Sequence, residues 1–465
     1  MPSHIQTLVI GAGISGLATA YALKKANVST VVLDSASRPG GVIQSVKRDG
    51  YLLECGPQSF SGNAQITGIS NELGILSNRV LADAKAPRYV LIDGLLKAVP
   101  MSPALLASSF LGGGTRGAIL RDVFGNQNPP EPDESVADFT RRKFSETLLD
   151  RLIGPFVSGI YAGDPEKLSL RAAFPILYEA EKASGSVVRG AFKVLKERKA
   201  KRGAEPREKA TLQTFRDGNE VLVKALADNL DERLLLNCEV LTIQALDPGL
   251  EPEAPRFRVT LRSPKGTEII STERLVMATP TNVTTRLLGG FDASLETNLG
   301  GVAYSGVAVV SLGYRKADIG NPLDGFGFLV PRSAKLSILG SVWNSSLFPG
   351  RAPDGHALLT SFVGGATNPE AVSRSADELA KQVHREIRRL LHISGEPAFH
   401  NVTIWPRAIP QYNLGHVARL TALDEARGKF PGLHFAGNYL NGPAIGTCVE
   451  HALRVANEIR VSFAN

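Results

Sequence analysis

The sequence has few cysteines, no long apolar run and no recognisable metal-binding motif. Its three cysteines, Cys55, Cys238 and Cys448, are widely spaced and match no metal or redox pattern. None of the eight histidines stands in a triad-like or metal-ligand arrangement. No stretch of 18 or more apolar residues occurs. These absences argue against a disulfide framework, a metal site and a transmembrane helix, and they predict a reducing environment.

Length and composition indicate a globular protein of two or three domains. The chain has 465 residues, of which 43% are hydrophobic and 21% are charged, so there is ample material for a core. The first apolar strand starts at residue 5, and we therefore expect no signal or transit peptide.

The first motif predicts a strand, a glycine turn and a helix. An apolar run at 5–10 is followed by GAGISG and by a helical pattern. Gly11 permits the tight turn, Gly13 lets the backbone approach a diphosphate, and Gly16 lets the helix pack close to the strand. Ser15 lies in the first turn of the helix, whose free N–H groups and positive dipole end face the phosphates.

An acidic residue completes this dinucleotide-binding pattern. Asp34 ends the second predicted strand, STVVLD, 23 residues after Gly11. Its carboxylate can accept hydrogen bonds from ribose hydroxyls, and it would repel the 2′-phosphate of NADP. The glycine pattern alone is weak, but strand, helix and acidic residue in register make chance unlikely.

The next turn favours FAD over NAD. Arg38, Pro39, Gly40 and Gly41 follow Asp34 closely and resemble the second signature of glutathione-reductase-like flavoproteins of the amine oxidase type. In those proteins a glycine pair lies along the diphosphate and ribityl chain. Taken alone, the turn also fits an ordinary glycine-rich loop.

The C-terminal segment supplies the matching half of a flavin site. It reads as a strand over Leu433 to Ala436, a loop, and a closing helix that begins near Ile445. Gly437 and Asn438 would meet the ribityl-phosphate region. The helix N-terminus at Ile445 and Gly446 would point at flavin N1 and O2 and stabilise negative charge on the reduced ring. Many flavoproteins have Asp where this chain has Asn438, and an amide can still hydrogen-bond the same oxygens.

The positive charge is concentrated in one segment. Residues 189–209 contain nine basic and three acidic residues, while the whole chain has a net charge of +7. An apolar, glycine-rich stretch at Met101–Leu120 precedes it. The basic run alone would fit a solvated helix, but the combination favours an anionic membrane surface. Nucleic acid is a poor partner, because the run contains no recognised reading motif.

The remaining patterns predict interleaved domains. Strand-like runs recur at 234–243, 256–262 and 274–279. They indicate that the chain returns to the first domain after an insertion from about residue 80 to 210. In this fold the backbone at Val240 commonly holds adenine, although an ordinary sheet strand is an equal alternative. The block 300–370 predicts a mostly antiparallel sheet, and SADELAKQVHREIRRLL is an amphipathic helix.

Six segments together resemble the oxygen-dependent protoporphyrinogen and coproporphyrinogen III oxidases of the flavin amine oxidase superfamily. They run in the family's order: GPQSF at 56–60, GDPEKLS at 163–169, SSLFPGRAP at 345–353, VGGATN at 363–368, WPRAIPQY at 405–412 and AGNYLNGPAIGTCVEHA at 436–452. WPRAIPQY with SSLFPGRAP is the specific pair.

The resemblance implies an α/β fold of three interleaved parts. A glutathione-reductase-like, Rossmann-type FAD-binding domain would comprise 1–80, 210–290 and 415–465. An α+β substrate domain would comprise 81–95 and 291–414. A helical membrane-binding domain, inserted at 96–209, would agree with the apolar and basic stretches.

The resemblance also implies the chemistry. A porphyrinogen would lose six electrons and six protons in three two-electron steps through FAD, with hydride passing to flavin N5 and each step followed by reoxidation with O2 to H2O2. The cofactor carries the chemistry and the protein orients the substrate. No side-chain nucleophile is needed.

Five residues take roles from the family motifs. Arg88 matches a position that pairs with a propionate, which suits its planar guanidinium. Leu329 and Phe348 match positions that sandwich pyrrole rings. The carbonyl of Gly159 lies where the family has an acceptor near the reacting edge, and Trp405 is placed at the cofactor. Without the resemblance, Leu329 and Phe348 would be ordinary core and Arg88 an ordinary surface arginine.

Several alternatives stay open at this stage. We favour protoporphyrinogen, but coproporphyrinogen, with two propionates in place of vinyl groups, is also used by bacterial members. A carotenoid desaturase or monoamine oxidase would share the FAD motifs but not WPRAIPQY with SSLFPGRAP. A non-catalytic flavin-binding or membrane scaffold is the other rival. We expect the protein at the cytoplasmic face of a bacterial membrane or in the cytoplasm, with a homodimer and a ferrochelatase as candidate protein partners.

Overall fold

The computed structural model describes residues 4–100, 105, 108, 110–124, 130–202, 211–247 and 254–463, except for the side chains of 195 and 198–202. Part of the apolar stretch at 101–120 and the end of the basic run, 203–209, therefore lie outside the described residues.

The strands, in chain order, are β1 (His4–Ile10), β2 (Thr30–Leu33), β3 (Ser45–Arg48), β4 (Tyr51–Glu54), β5 (Phe60–Ser61), β6 (Arg79–Leu81), β7 (Arg88–Ile92), β8 (Leu95–Ala98), β9 (Leu212–Phe215), β10 (Leu234–Leu235), β11 (Glu239–Ala245), β12 (Phe257–Ser263), β13 (Gly266–Met277), β14 (Tyr304–Arg315), β15 (Gly327–Leu329), β16 (Ile338–Val342), β17 (His356–Gly364), β18 (Phe399–Pro410) and β19 (Leu433–Phe435).

The α-helices are α1 (Ile14–Lys25), α2 (Ala64–Glu72), α3 (Gly113–Phe124), α4 (Val136–Lys143), α5 (Glu146–Leu148), α6 (Gly154–Tyr161), α7 (Leu170–Ala173), α8 (Pro175–Ser184), α9 (Val187–Arg202), α10 (Glu220–Leu230), α11 (Thr281–Leu288), α12 (Ala293–Gly300), α13 (Asn344–Leu347), α14 (Ala376–Leu390), α15 (His416–Gly428) and α16 (Ile445–Ser462).

The first sheet is assembled from three distant parts of the chain. Its order is β10-β2-β1-β13-β12-β11, with β19 paired to β13. The central strands β2, β1, β13 and β19 are parallel, and β11 and β12 extend them as an antiparallel edge. Val9 and Val276, on neighbouring strands, are completely buried. The ends of β1 and β13, Leu8–Ile10 and Leu275–Met277, are apolar and buried, as in a parallel sheet that helices cover. This arrangement confirms the predicted α/β, Rossmann-type fold.

One predicted strand is two strands in the structure. The run at 234–243 breaks at Asn237, which has φ = +55°. Before the break β10 pairs with β2, and after it β11 pairs with β12 at the opposite edge of the sheet. An asparagine tolerates this left-handed conformation better than most residues, so it can turn the chain here.

The second sheet is mostly antiparallel, in the order β18-β14-β17-β16-β15-β7-β8. Only β15 and β7 pair in parallel within it. The predicted amphipathic helix is α14, and Leu379, Val383 and Ile387 from it are buried against the sheet. Ser375 and Glu378 form a capping box that starts this helix.

Between β8 and β9 the described chain is helical and has its own small core. Val136, Phe139, Val157 and Leu168 contribute to that core. A fully buried carboxylate, Glu181, accepts hydrogen bonds from Arg142 (2.8 Å) and contacts Lys143 (2.7 Å). None of the helices that the structure describes combines the length and the apolar character needed to cross a membrane.

The predicted domain limits remain predictions, but two elements bear on them. The strand β8 continues the second sheet to Ala98, three residues past the predicted limit of 95. Leu295 and Leu299 of α12 pack in a core beneath the first sheet, although the substrate domain was assigned from 291 onward. After β7 and β8, the chain returns to the second sheet at β14, which begins with Tyr304.

Candidate active site

The turn between β1 and α1 is shaped by its glycines as the spacing predicted. Gly11 has φ = +108°, and a Cβ there would lie 2.6 Å from the carbonyl oxygen of Ala278. A Cβ on Gly16 would lie 1.9 Å from the carbonyl oxygen of Gly11. A Cβ on Gly13 would meet nothing within 4 Å. The strand and helix therefore touch through two glycines, while the third faces open space where a diphosphate fits.

The N-terminus of α1 has no side-chain cap. Its first N–H groups are therefore free to bind an anionic group. Ser15, in this first turn, is buried, and its carbonyl accepts a hydrogen bond from the Thr19 hydroxyl (2.8 Å). Ser15 also hydrogen-bonds Cys448 of α16, and burial raises the pKa of that thiol to about 11. The two helices are thus joined next to the glycine turn.

Asp34 is fixed beside this turn. Its carboxylate accepts hydrogen bonds from the backbone N–H groups of Ala12 (2.6 Å) and Ala36 (2.8 Å). A carboxylate has about four acceptor positions, so two remain for ribose hydroxyls. The backbone N–H of Cys238 donates to the Asp34 carbonyl (2.8 Å), so the chain passes next to Asp34 two residues before Val240.

The second glycine turn lies against the first. Gly13 and Gly40 form a parallel β-bridge, and a Cβ on Gly41 would lie 3.5 Å from the Cα of Gly13. The Arg38 guanidinium donates to the carbonyls of Gly41 (2.5 Å) and Ile43 (3.2 Å). In this structure Arg38 therefore stabilises the turn itself, and contact with the cofactor stays a prediction.

The C-terminal half of the cradle comes next to the first through β19 and α16. The backbone N–H of Ala436 donates to the Met277 carbonyl (2.9 Å), so Gly437 and Asn438 follow directly from the sheet edge. The helix α16 begins at Ile445 without a side-chain cap. The carbonyl of Gly446 accepts a hydrogen bond from the Asn63 amide (3.3 Å). Two uncapped helix N-termini, an oriented carboxylate and an open glycine surface fit FAD.

The proposed substrate side is formed by α6 and the second sheet. Leu329 lies on β15, and its Cδ2 is 2.7 Å from the position that a Cβ on Gly159 would take. Gly159 lies in the last turn of α6, where no N–H of the described residues donates to its carbonyl. The structure therefore brings together two residues that are 170 positions apart, and a side chain at position 159 would require Leu329 to shift.

Arg88 lies on β7, the strand next to β15. Its register partner is Gly327, and that of Val90 is Leu329, so Arg88 and Leu329 are close along the paired strands. The Arg88 guanidinium stacks over the Phe326 ring at 5.4 Å from its centroid. No acidic side chain of the described residues pairs with it. A partly buried arginine that has no acidic partner is suited to bind a carboxylate from a ligand.

Phe348 and Trp405 make internal contacts. Phe348 is 2% exposed and packs with Ala82 and Leu347 in a small core, which Phe326 adjoins. The Trp405 indole N–H donates to the Cys55 carbonyl (2.6 Å). Trp405 thus connects the second sheet to the chain that follows β4. Whether either ring meets a ligand stays a prediction.

A buried ion pair was missed in the sequence. Arg351 and Glu54 are almost fully buried, with a nitrogen to oxygen distance of 2.7 Å. Arg351 also donates to the Thr214 hydroxyl (2.6 Å), and the Asn219 backbone N–H donates to Glu54 (3.0 Å). Burial raises the pKa of Glu54, which the Arg351 charge opposes. Arg351 stands within SSLFPGRAP, so the motif itself was the available signal.

The segment 411–416 was also missed, although WPRAIPQY ends in it. The Gln411 amide donates to the Tyr161 carbonyl (2.8 Å) at the end of α6. The Tyr412 hydroxyl donates to the Asn438 carbonyl (2.5 Å). This segment therefore touches the substrate side and the cofactor loop at once. In the described residues there is no cluster of potential metal ligands.

Comparison with known proteins finds similar sequences along almost the whole chain. The family model of flavin containing amine oxidoreductases matches residues 14–460. The chloroplastic protoporphyrinogen oxidase of Nicotiana tabacum is 35% identical, over 98% of this chain and 86% of that protein. The coproporphyrinogen III oxidase of Bacillus subtilis is 27% identical, over 95% of both chains.

The fold has a close match among solved structures. A protein of Exiguobacterium sp. 255-15, whose assignment as a protoporphyrinogen oxidase is itself provisional, superposes with a TM-score of 0.80 at 23% identity, covering 99% of both chains. At that identity the match concerns the fold alone.

Proposed function

This chain belongs to the family of flavin containing amine oxidoreductases, and we propose that it is the FAD-dependent oxidase that converts protoporphyrinogen IX into protoporphyrin IX. The substrate loses six electrons and six protons, and three O2 are reduced to three H2O2. The observation that supports this most is the similarity to the tobacco protoporphyrinogen oxidase along almost the whole chain.

The residues of the chain bind and orient, while bound FAD supplies the two-electron oxidation and the reaction with oxygen. The N-terminus of α1 holds the diphosphate, and Asp34 holds the ribose beside it. The uncapped N-terminus of α16 places positive potential where negative charge develops in the reaction. No step requires a side-chain nucleophile.

On the substrate side, three groups divide the task of orientation. Arg88 pairs with a propionate, because its guanidinium is without an acidic partner in the described chain. Leu329 packs against a pyrrole ring, and the open Gly159 carbonyl beside it accepts a hydrogen bond from the macrocycle near the reacting edge. Together they turn one edge of the macrocycle toward the cofactor.

The test is aerobic turnover of the FAD-loaded protein on protoporphyrinogen and coproporphyrinogen in parallel. We expect porphyrin fluorescence and peroxide to rise together, and faster with protoporphyrinogen. A faster reaction with coproporphyrinogen III would instead assign the alternative activity, for which the Bacillus subtilis relative gives a precedent. Turnover of neither substrate by protein that holds FAD would overturn the proposal. Denatured protein with free FAD is the control for non-enzymatic oxidation.

We also propose that the helical insertion rests on an anionic membrane surface. Phe124 at the end of α3 and Phe192 on α9 are 81% and 73% exposed, and the two helices pack together. Arg189 and Lys193 of α9 are exposed near Phe192. Large apolar side chains next to basic ones are what such a surface requires.

Sedimentation with vesicles tests this contact. The protein should sediment with vesicles that contain phosphatidylserine and less with pure phosphatidylcholine. Phe124→Ser with Phe192→Ser should weaken binding about tenfold. Ile269→Ser is the matched control, since Ile269 is 58% exposed but lies on the first sheet. Equal binding of the double variant and the control would contradict the proposal.

A further inference from the structure

The loop between β19 and α16, residues 436–444, is held at two points, Asn438 and Gly442, by one hydroxyl group. Tyr412 is 2% exposed. Its hydroxyl donates to the Asn438 carbonyl at 2.5 Å and accepts the backbone N–H of Gly442 at 2.7 Å. Burial raises the pKa of Tyr412, so the hydroxyl keeps the proton that it donates. A single atom therefore spans four residues of the loop that is placed at the flavin.

His416 supports the same loop from beside Tyr412. The two rings are stacked, with centroids 4.3 Å apart and planes 9° from parallel. Burial lowers the pKa of His416 to about 4, so the ring is neutral at pH 7. Its Nε2 lies 2.9 Å from the Tyr439 carbonyl. A carbonyl only accepts, so Nε2 carries the proton and donates it.

The other side of this segment contacts the substrate side. Gln411 donates to the carbonyl of Tyr161, the last residue of α6 (2.8 Å), and to the Ser305 hydroxyl (3.0 Å). The Tyr161 ring lies 5.7 Å from that of Tyr412. The next carbonyl, of Ala162, accepts the N–H of Ala366 (2.7 Å). The end of α6, two residues after Gly159, is therefore fixed to the residue that precedes Tyr412.

We infer that Tyr412 is a positioning residue that fixes the flavin loop relative to the helix carrying Gly159. The expected effect of Tyr412 on turnover rests on the proposed function, because the position of α6 affects turnover only if Gly159 faces the substrate. The residue acts through the backbone of the loop. Gln411 and Tyr412 are consecutive, so one short segment contacts both the end of α6 and the flavin loop.

The test is Tyr412→Phe, which keeps the ring stack and removes the hydroxyl. The Asn438 carbonyl and the Gly442 N–H then lose their partner in a buried place, and the loop loosens. We expect the FAD dissociation constant to rise about tenfold, which corresponds to roughly one net hydrogen bond. We also expect a shift of the flavin absorption maxima and of the reduction potential.

Tyr314→Phe is the matched control. Tyr314 is also buried, and its hydroxyl lies 2.8 Å from Nδ1 of His384, within the core of the second sheet. It should lose stability in the same way but keep the wild-type FAD affinity and flavin spectrum. If Tyr412→Phe folds by circular dichroism and binds FAD as tightly as this control, with the same spectrum and potential, the inference is overturned.

A second pair keeps the test open if Tyr412→Phe fails to fold. His416→Leu removes the donor to the Tyr439 carbonyl, and His416→Gln retains a side-chain N–H. We expect weaker FAD binding and a changed spectrum in the first and partial rescue in the second. Identical FAD binding in both, at the wild-type level, would overturn the inference. These readouts use no porphyrinogen, so an absence of turnover in the wild-type protein would count against the proposed function alone.

Discussion

The cofactor cradle is made mainly of backbone groups, whereas the proposed substrate cleft is made mainly of side chains. In the cradle, Gly11 and Gly16 let strand and helix touch, and uncapped N–H groups face the site. In the cleft, Leu329 packs against Gly159 of α6, and Arg88 lies on the neighbouring strand. A backbone site depends on local glycine spacing, while a side-chain site depends on which strands and helices adjoin.

The two regions meet at a seam formed by Glu54, the last residue of β4, and the chain that follows it. Glu54 is paired with Arg351, the Cys55 carbonyl with Trp405, and the Gln58 amide with Asn344 (2.7 Å). Each bond joins this segment to the chain of the second sheet. Changes in the cradle, seam and cleft should therefore have separable effects.

The largest effect should come from Gly16→Val in the cradle. A Cβ there would lie 1.9 Å from the Gly11 carbonyl oxygen, so strand and helix must separate. Overpacking of this kind costs about 3 kcal/mol or more of folding free energy. We expect little folded protein and no FAD in what is recovered, as measured by yield and flavin absorbance.

Gly13→Ala is the contrasting variant in the same turn. Its Cβ would have free space and φ is −72°, so the apoprotein should keep the wild-type unfolding free energy. The methyl group would stand where the diphosphate binds, and FAD affinity should fall about tenfold or more. If Gly13→Ala lowers stability as much as Gly16→Val, the glycines do not have the separate roles assigned here.

At the seam, Arg351→Met should lower the unfolding free energy by about 3–5 kcal/mol, because it leaves the Glu54 charge buried without its partner. Since burial then raises the Glu54 pKa further above its unfolded value, the deficit of the variant relative to the wild-type protein should be smallest at low pH and grow as the pH rises. Urea unfolding at several pH values measures this. Adding Glu54→Gln should restore much of the loss, and a double variant no better than Arg351→Met would contradict the ion-pair account.

Acid should act chiefly on the cradle, through its buried histidines. Burial lowers the pKa of His434, on β19, to about 3, below the unfolded value of about 6.5. Its contribution to stability is therefore complete above pH 6.5 and is lost as the pH falls toward 3. By pH 4.5 the loss should be on the order of 3 kcal/mol. His434→Gln should flatten the dependence of the unfolding free energy between pH 6.5 and 4.5.

His400→Gln is the control for this change, because His400 lies on the second sheet with its ring exposed. It should alter the pH dependence less than His434→Gln does. If the two substitutions change the pH dependence of the unfolding free energy equally, the prediction that acid acts chiefly on the cradle is wrong.

The smallest effect on the fold should come from Arg88→Ala in the cleft. Without its guanidinium, a substrate propionate loses a charge-assisted contact, and KM should rise about tenfold or more. FAD content should stay unchanged, and the unfolding free energy should fall by no more than about 1 kcal/mol, because the side chain has no acidic partner in the described chain and loses only its stacking on Phe326. Arg315→Ala, which removes an arginine already paired with Asp318, should leave KM unchanged. A loss of FAD in Arg88→Ala would show that cradle and cleft are not independent.

The sequence by itself determined the cradle in considerable detail. The glycine spacing, Asp34 and the start of α16 at Ile445 were readable because each belongs to a local strand, turn or helix signal. The amphipathic helix α14 was readable because its apolar period is local as well. The division of the run 234–243 into two strands was not readable from the sequence, because it depends on a single residue, Asn237, in the left-handed conformation.

Only the tertiary structure decided which residues meet across the chain. The contact of Gly159 with Leu329, the pairing of Glu54 with Arg351, and the two bonds of Tyr412 to the flavin loop join segments between 26 and 297 residues apart. Side-chain contacts of this range depend on sheet order and helix packing, which no local pattern encodes. The motifs marked these residues as important, but the physical reason lay in partners that folding brings to them.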